Sequence, residues 1–225
     1  MNFSFLLDGY YISILFKGLL MTLLLAVISV VLGTVLGLIP AFLRLSSNKF
    51  AKFIGTAYVE IIRGTPLLVQ VLLIYSMIKL KVFIFLGIDL SSFIPGMLAL
   101  LINSSAYVSE VIRGGILSVD KGQREAGLSL GLTQGTIMKK IIMPQAVKNI
   151  IPALGNEFVT MIKETSIFMY LGIAELMYSA LIIRSDTYAI KETYIVVALL
   201  YFLLTYPTSK WMSSIERRLK VSEAR

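Results

Sequence analysis

The sequence predicts an all-α, polytopic membrane protein with about five transmembrane helices, and three observations predict it. First, 57% of the 225 residues are hydrophobic and the mean hydropathy is +0.84. Second, only 15% are charged, whereas a soluble domain devotes about a quarter of its residues to charge. Third, the cations gather in the gaps between long apolar runs, and their density alternates from one gap to the next. Lipid is the solvent that suits such a chain, and that alternation is how a polytopic chain is oriented in it.

About 20 apolar residues in a helix cross the roughly 30 Å hydrocarbon layer. Five stretches qualify. The first covers residues 11–39 and is expected to end near Pro40; the chain start lacks a basic region and a small-residue cleavage site, so this helix is expected to be retained. The second, residues 53–78, is interrupted by Glu60, Arg63 and Pro66. The third covers 93–112. The fourth, 150–170, carries Glu157, Lys163 and Glu164, and the fifth covers 194–212. Residues 171–193, with Glu175, Arg184 and Asp186, are too polar for a sixth span and read as an outer-face helix plus turn. No internal repeat or low-complexity tract divides the chain, so one domain over 1–225 suffices.

Cation placement sets the orientation. The first gap (Arg44, Lys49, Lys52), the long gap after helix three (Arg113, Lys121, Arg124, Lys139, Lys140, Lys148) and the tail (Lys210, Arg217, Arg218, Lys220, Arg225) together hold 14 cations. The opposite side holds Lys79, Lys81, Arg184 and Lys191. The N-terminus is therefore expected outside and the C-terminus in the cytoplasm, as five crossings require. The net charge of +8 is thus a membrane signature. Nucleic-acid binding is not expected, because the cations are not interleaved with aromatics on a polar surface.

The chain has no Cys and no His. Disulfides, thiolate metal sites, the commonest general base and the usual zinc ligand are all excluded; no catalytic residue and no metal site is expected. Nor does a GxxxxGK[ST] phosphate loop occur.

The gap after helix three is too long for a simple connector, and it carries helix punctuation. Asp120 with Gln123 three residues on is a capping-box arrangement. Gly131 suits a left-handed helix end. Thr133 suits the cap of a second helix with Ile137 and Ile141 one turn apart, and Pro144 is expected to limit it. A helix–turn–helix under the membrane follows, spanning about 114–149. A capped basic pair resting on headgroups through Lys139 and Lys140 has the same pattern.

Glu125-Ala126-Gly127, three residues, Gly131, nine residues, then Ile141-x-Met143-Pro144 resembles the EAA loop of ATP-binding-cassette importer permeases. Two positions depart: Gly127 stands for the second Ala and Met143 for Leu. Further blocks resemble the polar-amino-acid uptake branch of that family: Arg63 to Gln70, Ser105 to Gly115, Leu154 to Phe158 and Lys163 to Ser166. The resemblance covers most of the chain. It implies the type I importer (MetI-like) permease fold in a bacterial cytoplasmic membrane. It also implies coupling through Glu125, Ala126, Gly127, Gly131, Ile141 and Pro144 to two copies of a separate ATPase, which bind the ATP and Mg; no cofactor is expected in this chain. A second permease copy or a similar permease, an extracytoplasmic substrate-binding protein and a polar amino acid complete the implied partners.

Ionisable groups in mid-membrane cost at least about 2.5 kcal/mol and normally face a bundle interior or a pathway. Asn103, Tyr107 and Glu110 share one face of helix three. Asn156, Thr160 and Lys163 form a stripe on helix four, with Glu157 and Glu164 beside it. Asn103, Tyr107, Asn156, Glu157 and Thr160 are therefore candidate contacts for an amino acid's ammonium and carboxylate. Helix–helix hydrogen bonding, worth about 0.6 kcal/mol per contact, is an equal reading for each. Glu110 reads instead as a partner of Arg113. Gly64 and Pro66 are expected to kink helix two, as a gate hinge or a packing bend. An ion-coupled secondary transporter, with Glu157 and Glu110 as coupling groups, is the alternative function, although such folds carry inverted repeats and none is evident.

Overall fold

The computed structural model describes residues 3–221. After a short 3₁₀ turn, Asp8 caps helix α1 (Gly9–Leu45), its carboxylate accepting the Tyr10 N–H at 2.8 Å. At 37 residues α1 is about 55 Å long, well beyond a bilayer core. It does not end near Pro40: Pro40 is buried inside it. Pro is tolerated there because neighbouring helices support the backbone that its ring disturbs; α1 is packed against α2 (Lys49–Arg63) and α4 (Leu90–Leu117) along this stretch. The α1 face toward α4 is a stripe of small residues, including Ala26, Ser29, Gly33, Gly37 and Ala41. A Cβ on Gly37 would lie 2.8 Å from the Ser105 carbonyl oxygen, so the two backbones approach as closely as glycine allows, in the manner of membrane helix pairs.

Asn48 caps α2, accepting the N–H groups of Phe50 and Ala51. The expected second span is a broken pair rather than a kinked single helix: α2 gives way at Gly64–Pro66 to α3 (Leu67–Met77), with the axes 103° apart. A two-stranded hairpin interrupts the all-helical pattern, with β1 (Ile84–Phe85) antiparallel to β2 (Ile88–Asp89) in the register Ile84 with Asp89 and Phe85 with Ile88. Asp89 then caps α4.

The cytoplasmic-loop prediction resolves into α5 (Lys121–Ser129) and α6 (Gln134–Ile137). Pro144 does not stop the second helix. A π turn over Met138–Ile142 leads directly into α7 (Met143–Glu164), with Pro144 in its first turn. Proline has no N–H to give to the preceding turn, and a π turn placed just upstream widens the ladder where that bond is missing. From Gln134 the helix continues through α7 and a 3₁₀ segment to Leu171. After a 50° bend comes α8 (Leu176–Thr187), the helix expected between spans four and five, and then α9 (Ile190–Val221). Among the tail cations counted above, Arg225 and the Lys220 side chain lie outside the described residues.

Helices α1, α4 and α9 are each long and apolar enough to cross a membrane; the two bent pairs raise the number to five. The centre of the bundle is α4, which packs on α1, α2, α3 and α7. Leu25, Leu100, Ile162 and Phe168 form its main apolar core, while Val108, Ile112, Ile142 and Ala146 form a second one toward the α5 end.

Candidate functional site

The break between α2 and α3 opens a cavity of about 530 Å³ against α4 and α7, lined by Arg63, Thr65, Asn103, Tyr107, Glu157, Thr160 and Glu164 among others. Local chemistry explains the break. Pro66 has no N–H, so the turn before it loses a donor and leaves carbonyls unanswered. The Gln70 side chain fills the gap. Its Nε2 lies 2.7 Å from the Ile62 carbonyl, 3.0 Å from the Thr65 carbonyl and 2.8 Å from Thr65 Oγ1. Its Oε1 accepts from Asn103 Nδ2 at 3.1 Å. Asn103 thereby steadies the residue that seals the break, while lining the cavity itself.

Four of the five residues singled out on the polar stripes, Asn103, Tyr107, Glu157 and Thr160, meet around this one space. Asn156 does not; it is exposed, and its carbonyl accepts from Thr160 Oγ1 at 3.1 Å. The face of α7 turned to the cavity carries Glu157, Thr160, Met161 and Glu164, spaced i, i+3, i+4 and i+7. Adjacent helical positions differ by about 100°, so the stripe through Asn156, Thr160 and Lys163 is rotated by one residue, and Lys163 is exposed with Asn156. Glu157 is 91% buried, judged from its 9% exposure, and its Oε1 has no hydrogen-bond partner. Glu157 lines the cavity, and a buried carboxylate oxygen left without a donor beside such a space is a ready acceptor for a cationic or N–H group that reaches it.

Arg63, at the end of α2, stands between this cavity and a charge cluster. Its guanidinium lies 5.1 Å from the centre of the Tyr107 ring, within cation–π range, and 3.4 Å from Glu110. Glu110 is already held by Arg44 at 2.5 Å and by Arg113 at 3.1 Å. The expected Glu110–Arg113 pair is therefore present, and arginines from α1 and from α2 join it. One carboxylate ties the ends of three helices together.

In the α5–α6 hairpin, Asp120 caps α5 by accepting the Gly122 N–H at 2.7 Å. Gly131 takes the left-handed conformation, φ +74°, and Thr133 caps α6 through the Thr136 N–H at 3.3 Å. Gly127 is buried, and a Cβ there would meet Ile137 at 2.8 Å. Its smallness thus serves the packing of the hairpin itself. Glu125, Ala126 and Pro144 are exposed, and Ile141 is half-buried.

Residues 30–221 match the family of binding-protein-dependent transport system inner membrane components. The chain belongs to this family. It is the permease component of an ATP-binding-cassette importer. The permease is 40% identical to the probable glutamine ABC transporter permease protein GlnM of Bacillus subtilis, over 98% of this chain and 96% of that one. It is 35% identical to the arginine transport system permease protein ArtQ of the same organism, over 99% and 100%. Among solved structures it is similar to an amino acid ABC transporter crystallised with histidines, with TM-score 0.87, 47% identity and coverage of 97% of this chain and 100% of that chain. The methionine transporter MetNI, at 18% identity and TM-score 0.77 over 94% and 99%, shares the fold. Membership of this family sets aside the ion-coupled carrier, and the type I importer architecture that the family resemblance implies is the observed one.

Gln70 received no role from the sequence, although it lies within a quoted motif. The signal was there: a lone amide in an apolar run, four residues after a proline that strands carbonyls.

Proposed function

We propose that this permease passes a polar amino acid across a bacterial cytoplasmic membrane through the cavity at the α2–α3 break. The observation that carries the reading is the convergence of Asn103, Tyr107, Glu157 and Thr160 from two helices on one space, with Arg63 at its edge. Opposite charges at Arg63 and Glu157 complement the carboxylate and ammonium of an amino acid. Glutamine and arginine, the cargoes in the names of two relatives, are the first to test. An extracytoplasmic binding protein delivers the substrate, and a second permease copy or a similar permease completes the pathway.

The cation distribution supports an N-terminus outside and α5–α6 in the cytoplasm. There Glu125 and Ala126, exposed beside the half-buried Ile141, offer the face that docks on the ATPase, of which two copies bind ATP and Mg. Gly127, Gly131 and Pro144 act by shaping that face. Glu125 supplies a carboxylate for a partner cation.

The test is ATP-dependent uptake in proteoliposomes holding the permease with its ATPase and binding protein, using labelled glutamine and labelled arginine. Glu125→Lys is expected to lose the ATPase on co-purification, and Glu157→Gln to keep it while lowering uptake about tenfold, equivalent to about 1.4 kcal/mol. Uptake that needs an ion gradient and ignores ATP would sink the reading.

A further inference from the structure

Outside the cavity and the α5–α6 hairpin, the most unusual surface lies at the far end of α4, where α3 connects to it. Residues 79–87 are exposed without interruption. Six of these nine are large and apolar: Leu80, Val82, Phe83, Ile84, Phe85 and Leu86. A run of this kind facing water is a defect unless something apolar receives it. The turn accentuates the feature. Leu86 and Gly87 both have positive φ, +52° and +79°, the type I′ geometry in which Asn, Asp or Gly normally occupies the first place. Leu86 nevertheless stands there, 85% exposed at the tip.

Two details say what receives it. Ile84 and Phe85 are successive strand residues and point to opposite faces, yet they are 67% and 56% exposed. A hairpin laid on a protein surface needs one apolar face; one immersed in an apolar medium needs both. The charges are also one-sided. Lys79 and Lys81 lie at the base, while the single acid of the hairpin, Asp89, is occupied in capping α4 through the Ser91 N–H and hydroxyl at 2.9 and 2.7 Å. Lysines beside an apolar wedge are the pattern of an interfacial membrane anchor, with ammonium groups at the phosphates and side chains among the upper acyl carbons. The depth is limited. A two-stranded ladder has open edges that the hydrocarbon core does not tolerate, so the backbone stays at headgroup level.

We propose that the β1–β2 hairpin is a lipid anchor, seated in the leaflet opposite the α5–α6 side, with Lys79 and Lys81 on anionic headgroups. It fixes the outer ends of α3 and α4 to the membrane surface while the α2–α3 break below them moves. The proposal does not depend on the identity of the transported substrate.

The chain contains no cysteine, so single cysteines can be introduced at Ile84 and at Phe85 in the full-length permease and spin-labelled without removing others. In phosphatidylglycerol vesicles, accessibility to oxygen and to a water-soluble nickel chelate is read by power saturation. Both labels are expected to be open to oxygen and shielded from nickel. Nickel access at either label overturns the anchor by placing that face in water. Shielding from both reagents overturns it by placing the hairpin against protein, a second copy included. The Lys79→Gln/Lys81→Gln double variant, and wild-type lysines in phosphatidylcholine, are each expected to raise nickel access at both labels; no change in either overturns the role of the lysines. Labels at Phe83 and Leu86 repeat the measurement should either first variant be poorly produced.

Discussion

The two bends of this chain differ in what fills them. Between α2 and α3 the axes turn by 103°, and the corner stays open as a cavity. Between Leu171 and Leu176 they turn by 50°, and the corner is solid. Glu175 there is wholly buried, accepting the Met177 and Tyr178 N–H groups at 2.9 and 2.7 Å and the Tyr201 hydroxyl at 3.0 Å. Thr22 of α1 accepts the Leu176 N–H at 3.2 Å, and Phe168 before the bend and Leu176 and Ala180 after it are all at 0% exposure. The first corner is sealed by a neutral amide at its rim, the second by a carboxylate at its centre. Helix ends broken inside a bilayer must have their polar groups answered in both cases, but only a corner with empty space beside it is free to change angle.

The sharpest way to break this contrast is to remove each seal. Glu175→Ala strands three part-buried donors and is expected to lower stability on the order of 3 kcal/mol, read as a fall in the thermal midpoint of the purified permease; Glu175→Gln recovers part of it. A loss no larger than that at the open corner would mean the two bends are equivalent. Gln70→Ala leaves the Ile62 and Thr65 carbonyls without their amide donor and is expected to cost about 2 kcal/mol, less because the cavity admits water to them. Gly172, at φ +74° beside the closed corner, becomes strained as alanine by about 1 kcal/mol, again visible in the thermal midpoint. Pro66→Ala is the smallest change. It restores an N–H and is expected to leave the midpoint nearly unmoved while uptake falls roughly threefold, about 0.7 kcal/mol, because a more continuous helix resists opening. Unaltered uptake would mark the α2–α3 bend as packing alone.

Most of the architecture was legible in the sequence because lipid imposes a length and a composition on each span, and a helix cap needs particular residues. Asp120, Gly131 and Thr133 each do what their chemistry suggested. Prolines were harder to read. Pro40, Pro66 and Pro144 each stand inside or at the start of a helix, yet one is absorbed, one breaks the helix and one is bypassed by a π turn. The outcome depends on which neighbour answers the freed carbonyls, and Gln70 and α2 are tertiary facts. The polar stripe of α7 was found to within one residue, since periodicity identifies a face to about 100° and the choice between Asn156 and Glu157 falls inside that interval. The Arg44 and Arg63 partners of Glu110 come from other helices, where spacing along α4 carries no information.

One consequence of the bypassed proline concerns mechanics. Because the helix does not stop at Pro144, α6 and the cavity wall belong to a single rod from Gln134 to Leu171. Gln134 lies about 35 Å from Glu157 along its axis at 1.5 Å per residue, so a tilt of about 5° about its base carries Glu157 sideways by about 3 Å. Leverage of that size needs no relay of side chains between the foot of the molecule and its interior; the compliant joints on the way are the widened turn at Met138–Ile142 and the internal proline Pro152 of α7.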